Sequence, residues 1–206
     1  EIDLIAVDSA SEAAENWNSA DVPHGLRVYF SEEGRPIKAV CYDRGLLHGP
    51  YKEHYDDGQL KQTLSFKQGL KHGLAKAYSE DGTLLEEGHF ADDMAVGEHR
   101  HYYASGSLKD IIPYENGKIH GEVQRWFEGG SLNVEEHYVN GLLHSDSSKP
   151  TVVIYDEENS IRDIQHYNHG VPVGTHYVYH ENGQPKNKVT FKEGKMHGSC
   201  EIYSTK

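Results

Sequence analysis

The sequence predicts an all-β protein: an elongated antiparallel sheet of tandem 24-residue β-hairpin repeats, preceded by an N-terminal cap. Three observations lead there. His24-Gly25, His48-Gly49, His72-Gly73, Val96-Gly97 and His120-Gly121 fall 24 residues apart, and His144 continues the series with Ser145 in the glycine column. Aromatic and aliphatic residues keep the same phase. Composition agrees: 14 Tyr and 21 Gly against only 5 Phe, 2 Trp and 2 Met suit a thin, turn-rich sheet better than a thick core.

Residues 1 to 22 lack the repeat signature. Ile2 to Val7 reads as a strand, and Ser9 with Glu12 as the cap of a short helix carrying Trp17. A cap over the first hairpin is the physical expectation, because an unpaired sheet edge invites association.

Residues 23 to 206 read as the array, about seven and a half copies long. Val173-Gly174 comes 29 residues after His144, so five extra residues, at Ser145 to Lys149, interrupt one unit, and His197-Gly198 then resumes the 24-residue step. With that allowance, one column lies six residues past each anchor: Phe30, His54, Tyr78, Tyr102, Trp126, Tyr155, Tyr179 and Tyr203. Another lies eighteen past it: Tyr42, Phe66, Phe90, Tyr114, Tyr138, Tyr167 and Phe191. Gly34, Gly58, Gly82, Gly106, Gly130, Asn159 and Gly183 mark one turn, and Gly45, Gly69, Asp93, Gly117, Gly141, Gly170 and Gly194 the other, where a positive φ carries no steric cost for glycine. Each unit is therefore two strands and two turns. The recurrent apolar columns sit at even offsets from the anchor, which are expected to share the buried face. Odd-offset residues are expected on the opposite face, and that face is unusually aromatic: Arg27, Tyr29, Tyr51, Tyr55, His99, His101, Tyr103, Arg125 and Phe127. The last unit stops after one strand, leaving an edge.

The run from Tyr114 to Gly121, an aromatic followed by Asn-Gly-Lys and His-Gly, and the run from Tyr179 to Gly183, ending in Glu-Asn-Gly, resemble the MORN-repeat variant of bacteria. The resemblance covers residues 23 to 206. It implies consecutive hairpins in one antiparallel array that acts as an interaction module, and in bacteria an antitoxin or immunity protein. Val96, Val173, Ser145, Asp93 and Asn159 depart from the pattern and put local geometry in question there.

The charge excludes some partners. With 20 Lys+Arg against 33 Asp+Glu the formal net charge is -13, which disfavours nucleic acid and direct binding to anionic lipid and favours a basic protein. Acidic residues cluster at the first turn of successive units, at Glu32 and Glu33, Asp56 and Asp57, Glu80 and Asp81, and Asp156 to Glu158, as solvated tips or as a docking ridge. Fifteen His invite a metal, but the anchor His should lie ~10 Å apart, too far for shared zinc ligands, so they read as structural side chains, packing or bonding a neighbouring turn. No Walker loop, dinucleotide fingerprint, nucleophile elbow or zinc-protease helix is present, and the tip carboxylates repeat along the array where a catalytic pair would be gathered once. No cofactor and no metal is expected. Cys41 and Cys200 lie too far apart along the array for a disulfide.

The expected function is a non-catalytic protein-binding module, an immunity or antitoxin-type protein that neutralises a toxin or secreted effector enzyme with a basic surface by covering its active site. The expected contact residues are Tyr51, Tyr55, His99, His101, Tyr103, Arg125 and Phe127 with the acidic Asp56, Asp57, Glu80 and Asp81. The alternatives are a structural scaffold or membrane-associated adaptor, and a metal enzyme on His99 and His101. The chain starts at Glu1 without Met, which suits a periplasmic or envelope location after removal of a signal.

Overall fold

The computed structural model describes residues 5–7, 22–145 and 149–204, and among them every regular element is a β-strand. The expected helix at Ser9, Glu12 and Trp17 lies outside the described residues. Of the N-terminal strand, Ile5–Val7 is described, and it pairs parallel to Gly25–Phe30. Every other strand pair is antiparallel and joins neighbours in sequence, as a chain of hairpins requires.

Two compact units are distinguished, one up to Val96 and one from Gly97. The first holds the hairpins Gly25–Phe30 with Pro36–Asp43, Leu46–His54 with Leu60–Lys67, and Gly73–Tyr78 with Leu84–Ala91. In the second, residues from Gly97 of strand Met94–Tyr102 pair with Leu108–Glu115. Three more hairpins follow: Gly121–Trp126 with Leu132–Val139, Val152–Tyr155 with Ile161–Gln165, and Gly174–Tyr179 with Pro185–Lys192. Lys195–Ile202 closes the described sheet.

Two kinds of turn fix the register. At the base of each unit both central residues have φ > 0, as in Gln68 (51°) with Gly69 (87°) and Asn140 (52°) with Gly141 (84°). This is the type I′ geometry whose twist matches that of the flanking strands. Asp93 and Asn159 hold the same conformation as the glycines they replace, at φ 67° and 63°, so the turns are kept there. At the tip, a five-residue loop closes by two backbone bonds. In the first, Ser31 N donates to the Arg35 carbonyl and Gly34 N to the Ser31 carbonyl, at 2.8 and 2.9 Å, and the pattern recurs at residues 55, 79, 103, 127, 156 and 180. A register shift adjoins each tip loop, as between Tyr29 and Phe30 at the end of the first strand. Where Ser145 replaces glycine, its hydroxyl donates to the Lys149 carbonyl at 3.2 Å, and the hairpin restarts at Val152.

The faces differ from the expectation, and hairpin register is the reason. Gly25 pairs with Tyr42, Arg27 with Val40 and Tyr29 with Lys38, so an odd offset in the first strand shares its face with an even offset in the second. In each unit the buried side chains follow this rule: Tyr29 of a first strand and Val40 of a second in the first unit, and in the second unit His99, Val123 and Val152 of first strands and Asp110 of a second. The assignment of even offsets to the buried face therefore holds for second strands and is reversed for first strands. Far from facing away, the odd-offset aromatics of the first strands pack on the inner side with the column at Tyr42, Phe66 and Tyr114.

Candidate functional site

Successive repeats are joined at their tips by side chains of the residue that opens each tip loop. The Tyr55 hydroxyl donates to the Tyr78 carbonyl at 2.7 Å, and the Tyr103 hydroxyl to the Trp126 carbonyl at 2.8 Å, each reaching the next repeat. His180 Nε2 occupies the same slot against the Tyr203 carbonyl at 3.0 Å. At the base, the anchor histidines do related work. Nδ1 of His48, His120 and His144 accepts the backbone N–H of Gln68, Asn140 and His169 at 3.3, 3.4 and 3.2 Å. These imidazoles hold positive-φ turns. Among the described residues no group of three His, Cys, Asp or Glu could hold a metal ion.

In the first unit, five of the expected contact residues meet around one cleft of about 530 Å³: Tyr51, Tyr55, Asp56, Asp57 and Glu80. Its floor is a polar cluster that sequence reasoning did not anticipate. Glu53 accepts hydrogen bonds from the Tyr51 hydroxyl and from Lys61 Nζ, both at 2.9 Å, and from Gln62 Nε2. Burial alone would raise the Glu53 pKa, but the donors Lys61, Gln62 and Tyr51 outweigh it and hold the carboxyl down at about 2. Burial and the bond to Glu53 push the Tyr51 phenol upward. Cations cover the aromatic faces: Lys38 Nζ lies 5.6 Å from the Tyr29 ring centre and 5.4 Å from that of Tyr51, and Lys61 Nζ lies 5.8 Å from that of Tyr55. Asp81 does not join the cleft; its carboxylate folds back to accept the Ser79 hydroxyl and, at 3.0 Å, the Thr83 N–H, which lower its pKa. Asp57 likewise caps its own loop, accepting Gln59 N at 2.8 Å.

In the second unit the expected residues are divided. His99 is only 4% exposed and meets the Tyr114 ring edge-on at 4.8 Å, so it is a core side chain. His101 pairs with Asp110 and Arg125 with Glu136, and the Tyr138 hydroxyl donates to Glu136 at 3.3 Å, giving a row of matched charges across the inner face. The Arg125 pKa is raised, the pairing with Glu136 outweighing the burial that opposes it. Tyr103 is spent in its tip bond. Phe127 alone of the expected residues lines a cleft of about 1140 Å³, with the acidic tips Asp156 to Glu158 and with Glu181. The linings of the two clefts offer aromatic walls and carboxylates, which are groups for binding.

The family profile described as MORN repeat variant matches residues 47–68, 71–92, 95–118, 119–140 and 172–193. No curated protein matches the chain. The matches step over residues 141 to 171, which hold Ser145 and Asn159, yet the hairpin Val152–Tyr155 with Ile161–Gln165 forms there as elsewhere.

Proposed function

This chain belongs to the MORN repeat variant family, a repeat module commonly used for binding or as an adaptor, and from that premise we propose that it is a non-catalytic immunity or antitoxin-type protein. It neutralises a toxin or secreted effector enzyme by binding it and covering its active site. The observation that carries the reading is the first-unit cleft, where aromatic walls and the carboxylates of Asp56, Asp57 and Glu80 are presented on hairpins whose backbone groups are already paired. A surface fixed in advance loses little conformational entropy on binding, and a net charge of -13 speeds encounter with a basic partner.

The test is affinity capture from the native organism followed by titration of the captured enzyme with the purified chain. Loss of the enzyme's activity at one equivalent, with rescue of cells that express it, is the expected result. A stable complex that leaves the partner fully active, or capture of envelope components alone, would replace inhibition with scaffolding.

A further inference from the structure

We propose that the second-unit cleft between Phe127 and Tyr179 is a docking site for a cationic side chain on a basic segment of a partner protein. The inference rests on the protein-binding reading and gives it a location and a ligand chemistry. It starts from a comparison of Tyr55, Tyr103 and Phe127, which open tip loops in a column that otherwise holds Ser31, Ser79, Asp156 and His180. In the column of Tyr55, Tyr103 and Phe127, the first two rings are each covered by the lysine six residues on, Lys61 at 5.8 Å and Lys109 at 5.9 Å from the ring centres. Their hydroxyls also tie the next repeat, through the Tyr78 and Trp126 carbonyls. At the third position both features are replaced: phenylalanine has no hydroxyl to donate, and the lysine position is Asn133. The Phe127 ring is half-buried and lines the recess without a cation over it among the described residues.

The rest of the wall is complementary to a cation. Asp156 is already matched by Arg162, but Glu157, Glu158 and Glu181 are exposed and form no ion pair among the described residues. Lys186 is the one other cation lining the cleft. Tyr179 adds a second aromatic wall, and Asn182 an amide. An aromatic face beside unmatched carboxylates is the environment that guanidinium and ammonium groups prefer, and the recess is large enough for a short segment carrying more than one of them. At Tyr55 and Tyr103 the chain supplies its own lysine to such a place; at Phe127, a partner supplies it.

The experiment uses the full chain and a fluorescein-labelled tri-arginine amide as probe, read by anisotropy, with a tri-glutamine amide as control. Saturable binding of tri-arginine and none of tri-glutamine is expected. Asn133→Lys, which places at Phe127 the lysine found beside Tyr55 and Tyr103, should weaken binding at least fivefold. Neutralising Glu157, Glu158 and Glu181 together to Gln should weaken it at least tenfold. Neutralising Glu32, Glu33 and Glu193 to Gln, an equal change of net charge away from the cleft, should change it less than twofold. Equal losses in the two triple variants, no effect of Asn133→Lys, or no saturable binding would each overturn the proposal. Capture of the native partner separates this from the broader reading: a partner held equally by wild type and by the Glu157, Glu158 and Glu181 variant removes the cleft and leaves the binding function standing.

Discussion

At the scale of single residues, the two turns show how closely side-chain choice follows backbone geometry. Gln68 and Glu193 hold left-handed conformations at φ 51°, where asparagine stands at residues 116 and 140. Such a φ costs an ordinary L-residue roughly 1–2 kcal/mol, and asparagine adopts it more readily. Gln68→Asn should therefore raise the unfolding free energy by about 0.5–1 kcal/mol, read from urea midpoints, while keeping the backbone bond to His48. Asp93 is a different case, because its carboxylate accepts Lys71 N at 2.7 Å, a contact that glycine in that column would lose. Glu53 gives the pH prediction. Its folded-state pKa of about 2 lies below the ordinary glutamate value of roughly 4.3, so the unfolded chain takes up the proton first as pH falls. The contribution is complete above about pH 5 and is lost as pH drops through about 2. Urea midpoints measured between those limits should fall less in Glu53→Gln than in wild type; parallel curves would show that the Lys61, Gln62 and Tyr51 contacts do not favour the charged form. The 24-residue columns foretold the turns, but nothing in them indicated that Glu53 would collect three donors, since Lys61 and Gln62 reach it only across the strand pairing and its register shift.

At the scale of the hairpin, the sequence was legible in period and misleading in parity. Strand alternation alone puts even offsets on one face throughout, yet each hairpin turn has a length that pairs an odd residue with an even one, as Gly25 with Tyr42. The first strands are therefore inverted relative to that alternation, and with them the exposure of His99 and the environment of Tyr51. The side chains that join successive tips were equally invisible, because a hydroxyl directed at a carbonyl 23 residues away leaves no local signature. Tyr103→Phe tests that joint. Deleting the hydroxyl leaves the ring in place and orphans the Trp126 carbonyl, so a loss of about 0.5–1.5 kcal/mol is expected in urea unfolding, with faster amide exchange in the adjoining tip. An unchanged midpoint would mean that water replaces the bond at no cost and that the tips are independent of each other.

At the scale of the whole molecule, pairing between sequence neighbours makes the stability of the described residues a sum of hairpins and the bonds between them. Interior and edge strands must then differ. In the second unit, Leu132–Val139 pairs on one side with Gly121–Trp126 and on the other with Val152–Tyr155. Lys195–Ile202 pairs with Pro185–Lys192 alone among the described residues, and Met196 and Ile202 are 66% and 79% exposed. An amide in the interior strand exchanges only after the pairing on both sides has opened, whereas one on the last strand needs a single interface to break. Native-state hydrogen exchange of the full chain should show amides of Leu132–Val139 protected at least tenfold more than those of Lys195–Ile202. Urea should erase the difference progressively, as the outer strand opens before the inner ones. Uniform protection across the unit would instead require coupling beyond nearest neighbours, and the charged row from His101 through Asp110, Arg125 and Glu136 would be the place to seek it, since it crosses four strands on the buried face.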